Sequence, residues 1–302
     1  MNDVGKLSTE RLARPRTFAL SALVCAVLAL LFAAPPRVAH QQKKTGASPP
    51  MPALRRTQSR HESHRLGFGG AVTIYVAPEG SISIEGWPSA EVDINADVEL
   101  RADTEEDLAR LAAVNRFTVS DDLNHINVLT VGTHDRKYMK RAARDFPKKL
   151  LGLPWKLDYS LRVPAACDLE IFAGRGPLRV SGVEGALRLN AGESDASFVL
   201  AGGDVEATVE RGRINFRLAA QSWRGRGANV RLGSGDLTVE LPPNYNGEVN
   251  AQVLRAGRVE NTHPSLEPRE RTNPTERTLQ ARGGAGGTLL TFTVGDGTLR
   301  IK

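Results

Sequence analysis

Cysteine and aromatic side chains are scarce in this 302-residue chain: it holds two cysteines, and Phe, Trp and Tyr together make up 5%. Cys25 lies within an apolar run and Cys167 far outside it, so no intrachain disulfide can form and the fold must stand on packing alone. So few aromatics disfavour an aromatic-lined cofactor pocket. Catalytic signatures are missing as well. There is no H-E-x-x-H and no phosphate loop, and His125, His134 and His263 stand isolated. Gly192 to Ala196 (GESDA) places Ser194 in the setting of a nucleophile elbow but lacks the closing glycine and the helix that must follow. Gly283 to Gly287 reads as a turn between a polar loop and a strand. No cofactor and no metal are implied.

What the chain does have is glycine, 29 residues, and a formal net charge of +6. Hydrophobic residues at 40% can bury a core, which excludes wholesale disorder. The positive charge is unevenly placed: residues 1–34 carry +2 and residues 35–65 carry +6, which leaves −2 for residues 66–302. The folded part as a whole is therefore no basic nucleic-acid binder.

Phe18 to Ala34 is free of charge and follows a basic stretch, so it can enter a bilayer. Signal peptidase needs small residues at the last and third-last positions, and a cut after Ala34 would present Phe32 and be followed by Pro35. The reading is an uncleaved transmembrane signal-anchor with residues 1–17 cytoplasmic and the rest outside. The protein would sit in the bacterial cytoplasmic (inner) membrane as a single-pass protein; cleavage would make it periplasmic or secreted. Cys25 is a poor lipobox cysteine, because Leu23 and Val24 precede it and the apolar run continues. Residues 35–65 are rich in Pro, Gln, Ser, Lys and Arg, the composition of a disordered, flexible spacer, and His61 and His64 within it read as solvated.

From Val72 onward alternation with period two predicts strands: Val72, Ile74, Val76, then Ile82, Ile84, then Val92, Ile94, Ala96. A helix interrupts them, with Asp103 as cap, Glu106 three residues on, and Leu108, Leu111 and Ala112 on one face. Strand pattern returns at Phe117 to Val119 and Ile126 to Val131. In the second half a repeat of nine appears: Leu169, Leu178, Leu187, Ala196, Val205 and Ile214, each followed two residues later by Ile171, Val180, Leu189, Phe198, Ala207 and Phe216. It breaks near Trp223 and resumes at Ala228 and Leu237. A fixed short period means stacked units. The fold expected is all-β, a β-solenoid or β-roll of short stacked strands with one or two short helices, over residues 66–302.

The runs Gly202 to Val205 (GGDV), Gly233 to Val239 (GSGDLTV) and Val294 to Ile301 (VGDGTLRI), with the opening Gly80 to Trp87 (GSISIEGW), resemble the strands of the bacterial "putative adhesin" β-strand-repeat family, a domain of unknown function. The resemblance covers roughly residues 70–302. It implies an envelope-exposed β-solenoid, often tethered by an N-terminal membrane helix, with no established enzymatic chemistry.

The Gly-Asp steps at Asp204, Asp236 and Asp296 read as turn residues, since the fuller calcium-repeat pattern is missing. Glu170, Glu206, Arg179, Arg188 and Arg217 alternate outward as on a solvated sheet face; a polysaccharide-acting enzyme would need them clustered beside a groove. One stretch stands apart. Between Thr133 and Lys156, eight basic residues face only Asp135 and Asp145, a net charge of +6. Met139, Ala142, Ala143 and Phe146 keep helical spacing up to Pro147, with Arg136, Lys140 and Arg144 on another face, which predicts a short basic amphipathic helix. It serves as a cap on the solenoid end, as an anionic-surface contact through Arg136, Lys137, Lys140, Arg141, Arg144, Lys148 and Lys149, or as both. The partners to expect are an envelope polymer, an anionic lipid surface or another envelope protein. The functional reading is a non-enzymatic, membrane-anchored binding or scaffolding protein; the alternatives are an envelope-stress or signalling component and, third, the polysaccharide-acting enzyme.

Overall fold

The computed structural model describes residues 52–76, 78–122, 124–269 and 274–302. The anchor assigned to residues 18–34, Cys25 and the first part of the spacer lie outside these residues. Among the described residues no helix is long and apolar enough to cross a membrane.

The chain is mostly strand. In order come β1 (Leu54–Arg65), β2 (Ala71–Tyr75), β3 (Ile82–Trp87), β4 (Glu91–Ala102), α1 (Glu105–Val114), β5 (Arg116–Asp121), β6 (His125–Val131) and α2 (Arg136–Ala142). There follow β7 (Trp155–Pro164), β8 (Asp168–Arg175), β9 (Leu178–Ser181), β10 (Ala186–Leu200), β11 (Gly202–Leu218) and β12 (Arg224–Glu240). The last are β13 (Gly247–Val253), β14 (Gly257–Asn261), β15 (Leu266–Pro268), β16 (Thr278–Gly283) and β17 (Leu289–Ile301). The all-β expectation holds, and the strands named from alternation are present, with Val72, Ile74, Ile82, Ile84, Val92, Ile94 and Ala96 buried.

The nine-residue repeat builds the fold in a way its spacing alone does not reveal. From β8 and β9 through β11, neighbours in register lie eighteen residues apart, as Leu187 opposite Leu169 and Val205, and Ala196 opposite Leu178 and Ile214. Alternate repeats therefore belong to two different parallel ladders. One runs β2–β8–β10–β11–β12–β17–β13 and the other β3–β9–β10–β11–β12–β17–β14, the long strands β10, β11, β12 and β17 serving both. Nine is odd, whereas side chains alternate with period two, so the alternation must slip once per repeat if both halves are to face one core. It does: in β10 the buried residues are Leu187, Leu189 and Ala191, then Ser194, Ala196, Phe198 and Leu200. The ladders meet across the core, where the Phe216 ring lies edge-on to Phe292 at 5.2 Å.

The slip is made at a column of glycines. Gly235 (φ 134°) and Gly297 (φ 139°) sit in register there, and a Cβ on Gly297 would stand 1.8 Å from the Gly235 carbonyl oxygen of the neighbouring strand. Ser194 occupies the same column and donates its hydroxyl to the Gly176 carbonyl at 2.7 Å. It is a buried strand residue, not an exposed nucleophile. The break near Trp223 is mainly the connection 219–223 between β11 and β12, which sets Gly202 opposite Arg224, and a register shift at Gly203/Asp204 then sets Val205 opposite Ala228. Trp223 fills the space, its indole N–H donating to Gly203 O at 3.1 Å.

Other expectations need correction. The strands are not uniformly short, since β11 and β12 each run to 17 residues. Nor is stacking uniformly parallel: β1–β4–β7, β5–β6 and β13–β16–β15 are antiparallel additions toward the two ends. Thr104, not Asp103, caps α1, its hydroxyl accepting from Asp107 N at 3.1 Å. The Gly-Asp aspartates stand within strands rather than in turns, and Asp296 pairs with Arg255 across the ladder at 2.5 Å.

The spacer assignment fails over residues 54–65. These form β1, paired with β4 along all twelve residues. Its even-numbered residues share the core side of β4, but they are Arg56, Gln58, Arg60, Glu62 and His64 where β4 offers Val92, Ile94 and Ala96. The register of β1 is with β4, and Arg56, Arg60 and His64 reach elements beside the core rather than the core itself. Arg56 pairs with Glu105 of α1 at 2.5 Å, Arg60 lies over the Phe117 ring of β5, and His64 meets Asp121 of β5 at 2.6 Å. An edge strand needs no apolar face to be held by a continuous ladder, and charge on it opposes further strand addition.

Candidate functional site

The basic stretch links β6 to β7 and is moored from several sides. Gly132 ends β6 against the Asn115 side chain, whose Oδ1 accepts from Thr133 N at 2.8 Å. Asp135 then caps α2, accepting from the N–H groups of Lys137 and Tyr138 at 2.9 and 3.0 Å. Met139 is the buried residue of α2. A single-turn 3₁₀ segment, Lys148–Leu150, follows and buries Leu150.

The amphipathic helix is shorter than its spacing predicts. It ends at Ala142, where Ala143 leaves helical geometry as C-cap at φ −150° and ψ 67°, well before Pro147. Arg144 therefore continues no helical face, Ala142 is exposed, and Phe146 is half-buried against the core edge. The cap itself is α1, whose Leu108 and Leu111 are buried at the end of the core beside β4 and β1. The stretch lies against α1, with a groove of about 600 Å³ between them, floored by Ala113, Val114 and Ala142 and flanked by Arg110, Arg116 and Arg144.

The seven cations assigned to an anionic surface divide into two kinds. Lys149 is structural: its Nζ donates to Asp107 Oδ2 of α1 at 2.8 Å, and that bond holds the Asp107 carboxyl below its ordinary value against the opposing effect of burial. Arg136, Lys137, Lys140, Arg141, Arg144 and Lys148 are exposed and form no ion pair among the described residues. Beyond them Leu151 stands 42% exposed, a feature that charge counting passes over.

Elsewhere on the surface, several charges are matched across strands. Arg188 meets Glu206 at 3.3 Å, Arg213 meets Asp195 at 2.8 Å, and Arg175 meets Glu193 at 3.4 Å. The residues weighed for an enzyme thus lie along the ladders: Glu170, Arg188 and Glu206 stand side by side in register. His263 is buried with Nε2 2.9 Å from Pro242 O, and His125 contacts Thr73 Oγ1 at 2.9 Å. His61 pairs with Asp93. No three His, Cys, Asp or Glu residues among those described are grouped to hold a metal.

The Lys149 mooring gives a pH-dependent expectation. Because folding lowers the Asp107 pKa, the contact contributes above the ordinary carboxylate range and is lost as pH falls through the folded value. Asp107→Asn should reproduce that loss at neutral pH and speed tryptic cleavage within residues 136–149, with little change in the melting of the β-core. Glu106→Gln, which removes only the exposed contact with Arg110 on the same helix, should leave cleavage unchanged.

No protein-family model matches the chain, and no curated protein matches it. Among solved structures it is similar to a putative cell adhesion protein from Clostridium sporogenes (11% identity, 81% of this chain and 99% of that one, TM-score 0.42). It is also similar to a putative adhesin from Bacteroides fragilis (9% identity, 81% and 97% covered, TM-score 0.36). A third similarity is to a putative lipid binding protein from Parabacteroides distasonis (12% identity, 82% and 97% covered, TM-score 0.22).

Proposed function

We propose that this chain is a non-enzymatic, membrane-anchored binding or scaffolding protein of the bacterial envelope, a β-solenoid held outside the cytoplasmic membrane by residues 18–34. The eighteen-residue spacing of neighbours within each ladder supports the solenoid reading, each circuit contributing one strand to either ladder. One observation carries the binding role. Six exposed cations are concentrated within residues 136–148, and none of them has a carboxylate partner among the described residues. Unmatched charge of one sign, raised on an insertion, is the footprint of an anionic partner.

The test is made on the full chain in bacterial cells. It should remain with membranes through carbonate and high-salt washes, be digested by protease added from outside the cytoplasmic membrane, and begin near Met1 on N-terminal sequencing. A mature N-terminus between Ala33 and Gln42 would show a removed signal peptide and overturn the anchor.

A further inference from the structure

The first strand joins the fold beside the basic insertion. Leu54 stands opposite Ala102, where β4 ends just before α1, and Trp155, the residue into which the insertion leads, stands opposite Leu100. Both are tied to the same turn of α1, Arg56 of β1 through Glu105 and Lys149 of the insertion through Asp107. The length of chain between the apolar run and β1 is bounded too. Residues 35–53 cannot reach beyond about 65 Å even when fully extended. Six unpaired cations are therefore displayed at the end of the β-domain from which the chain leaves toward residues 18–34. Next to them is Leu151, 42% exposed beside Lys148 and Lys149. An acidic polysaccharide would reward the cations and gain little from an exposed leucine among them. A phospholipid surface rewards both, headgroups pairing with the charges while the apolar side chain enters the interface.

We infer that the insertion is a second membrane contact, in which Arg136, Lys137, Lys140, Arg141, Arg144 and Lys148 lie against anionic phospholipid headgroups and Leu151 enters the interface. This rests on the anchor proposed above. The tether raises the effective concentration of lipid at the insertion, so modest surface affinity suffices. Each cation beside an anionic leaflet contributes roughly fivefold in affinity, and the attraction weakens as salt screens it.

The experiment uses the full chain carrying Cys25→Ser and Leu151→Cys, labelled with an environment-sensitive fluorophore and reconstituted into vesicles of phosphatidylcholine with or without phosphatidylglycerol. Cys167 is buried and its thiol is pushed up to about 12 by that burial, so it stays unlabelled. A label at Leu254, exposed between β13 and β14 and separated from β7 by roughly 30 Å of stacked strands, serves as reference. The Leu151 label should shift to the blue and be quenched by lipid-borne quenchers in phosphatidylglycerol vesicles, lose that response as salt is raised, and stay aqueous in phosphatidylcholine alone. The Leu254 label should stay aqueous throughout. Changing Lys137 and Arg141 to Gln should weaken lipid contact roughly 25-fold, with circular dichroism to check folding; should that variant not fold, the salt series on the unaltered insertion decides. If the chain floats with both vesicle types while the Leu151 label stays aqueous, or is quenched equally in both, the inference fails and the anchor stands. If the chain floats with neither, the anchor fails and the inference with it.

Discussion

Phe198→Asp should abolish the cooperative melt of the β-domain. Phe198 is fully buried, in register between Val180 and Phe216, with its ring 6.4 Å from that of Phe216. A carboxylate there has no partner, and burying it or protonating it costs several kcal/mol, a large part of the 5–15 kcal/mol by which domains are usually stable. Leu189→Asp should do the same from the other ladder. Arg188→Asp tests the outward register next door. It exchanges the contact with Glu206 for a carboxylate between Glu170 and Glu206, an exposed effect of about 1 kcal/mol or less. Thermal melts of the three variants settle the point: similar losses for inward and outward positions would mean that the register is wrong.

Gly235→Ala should cost about 3–5 kcal/mol although it removes no side chain and no hydrogen bond. Two causes add. At φ 134° the backbone lies where a side-chain-bearing residue is strained, and the new Cβ would stand 1.8 Å from Gly212 O on the adjacent strand. That oxygen belongs to a ladder on both sides and cannot retreat without breaking it. Ser194→Gly, in the same column, should cost only about 1 kcal/mol, for the lost bond to Gly176 O. Denaturant melts of both variants measure the difference, and a Gly235→Ala loss under 1 kcal/mol would contradict the close packing of the glycine column.

Much of the fold can be read from the residues, and its failures share a physical cause. Alternation reveals which side chains point inward, so Val72, Ile84 and Val92 were identified from spacing alone. It does not say which strand lies next door, so a period of nine could not by itself disclose neighbours at eighteen. β1 was missed because its inner face is Arg56, Arg60 and His64, which engage α1 and β5 rather than an apolar core. Sequence periodicity registers burial of apolar surface, and β1 is held by backbone pairing. At the candidate site the excess charge was legible, whereas the division of labour was not. Lys149 and Lys148 are adjacent and chemically identical, and only the position of Asp107 on another element makes one a mooring and leaves the other free.

The odd half-period also governs how such a chain can change in length. A tandem copy of nine residues would send each following segment to the opposite ladder, bringing the Arg213 and Asp195 row against a different set of neighbours and moving Gly235 off its column. A copy of eighteen residues returns every side chain to its own ladder, its own glycine column and its own charge row, and lengthens the stack by one strand spacing, about 4.8 Å. Growth by gene duplication is thus quantised in steps of eighteen residues, and the basic insertion at one end can be set farther from the opposite end without a single residue of either being redesigned.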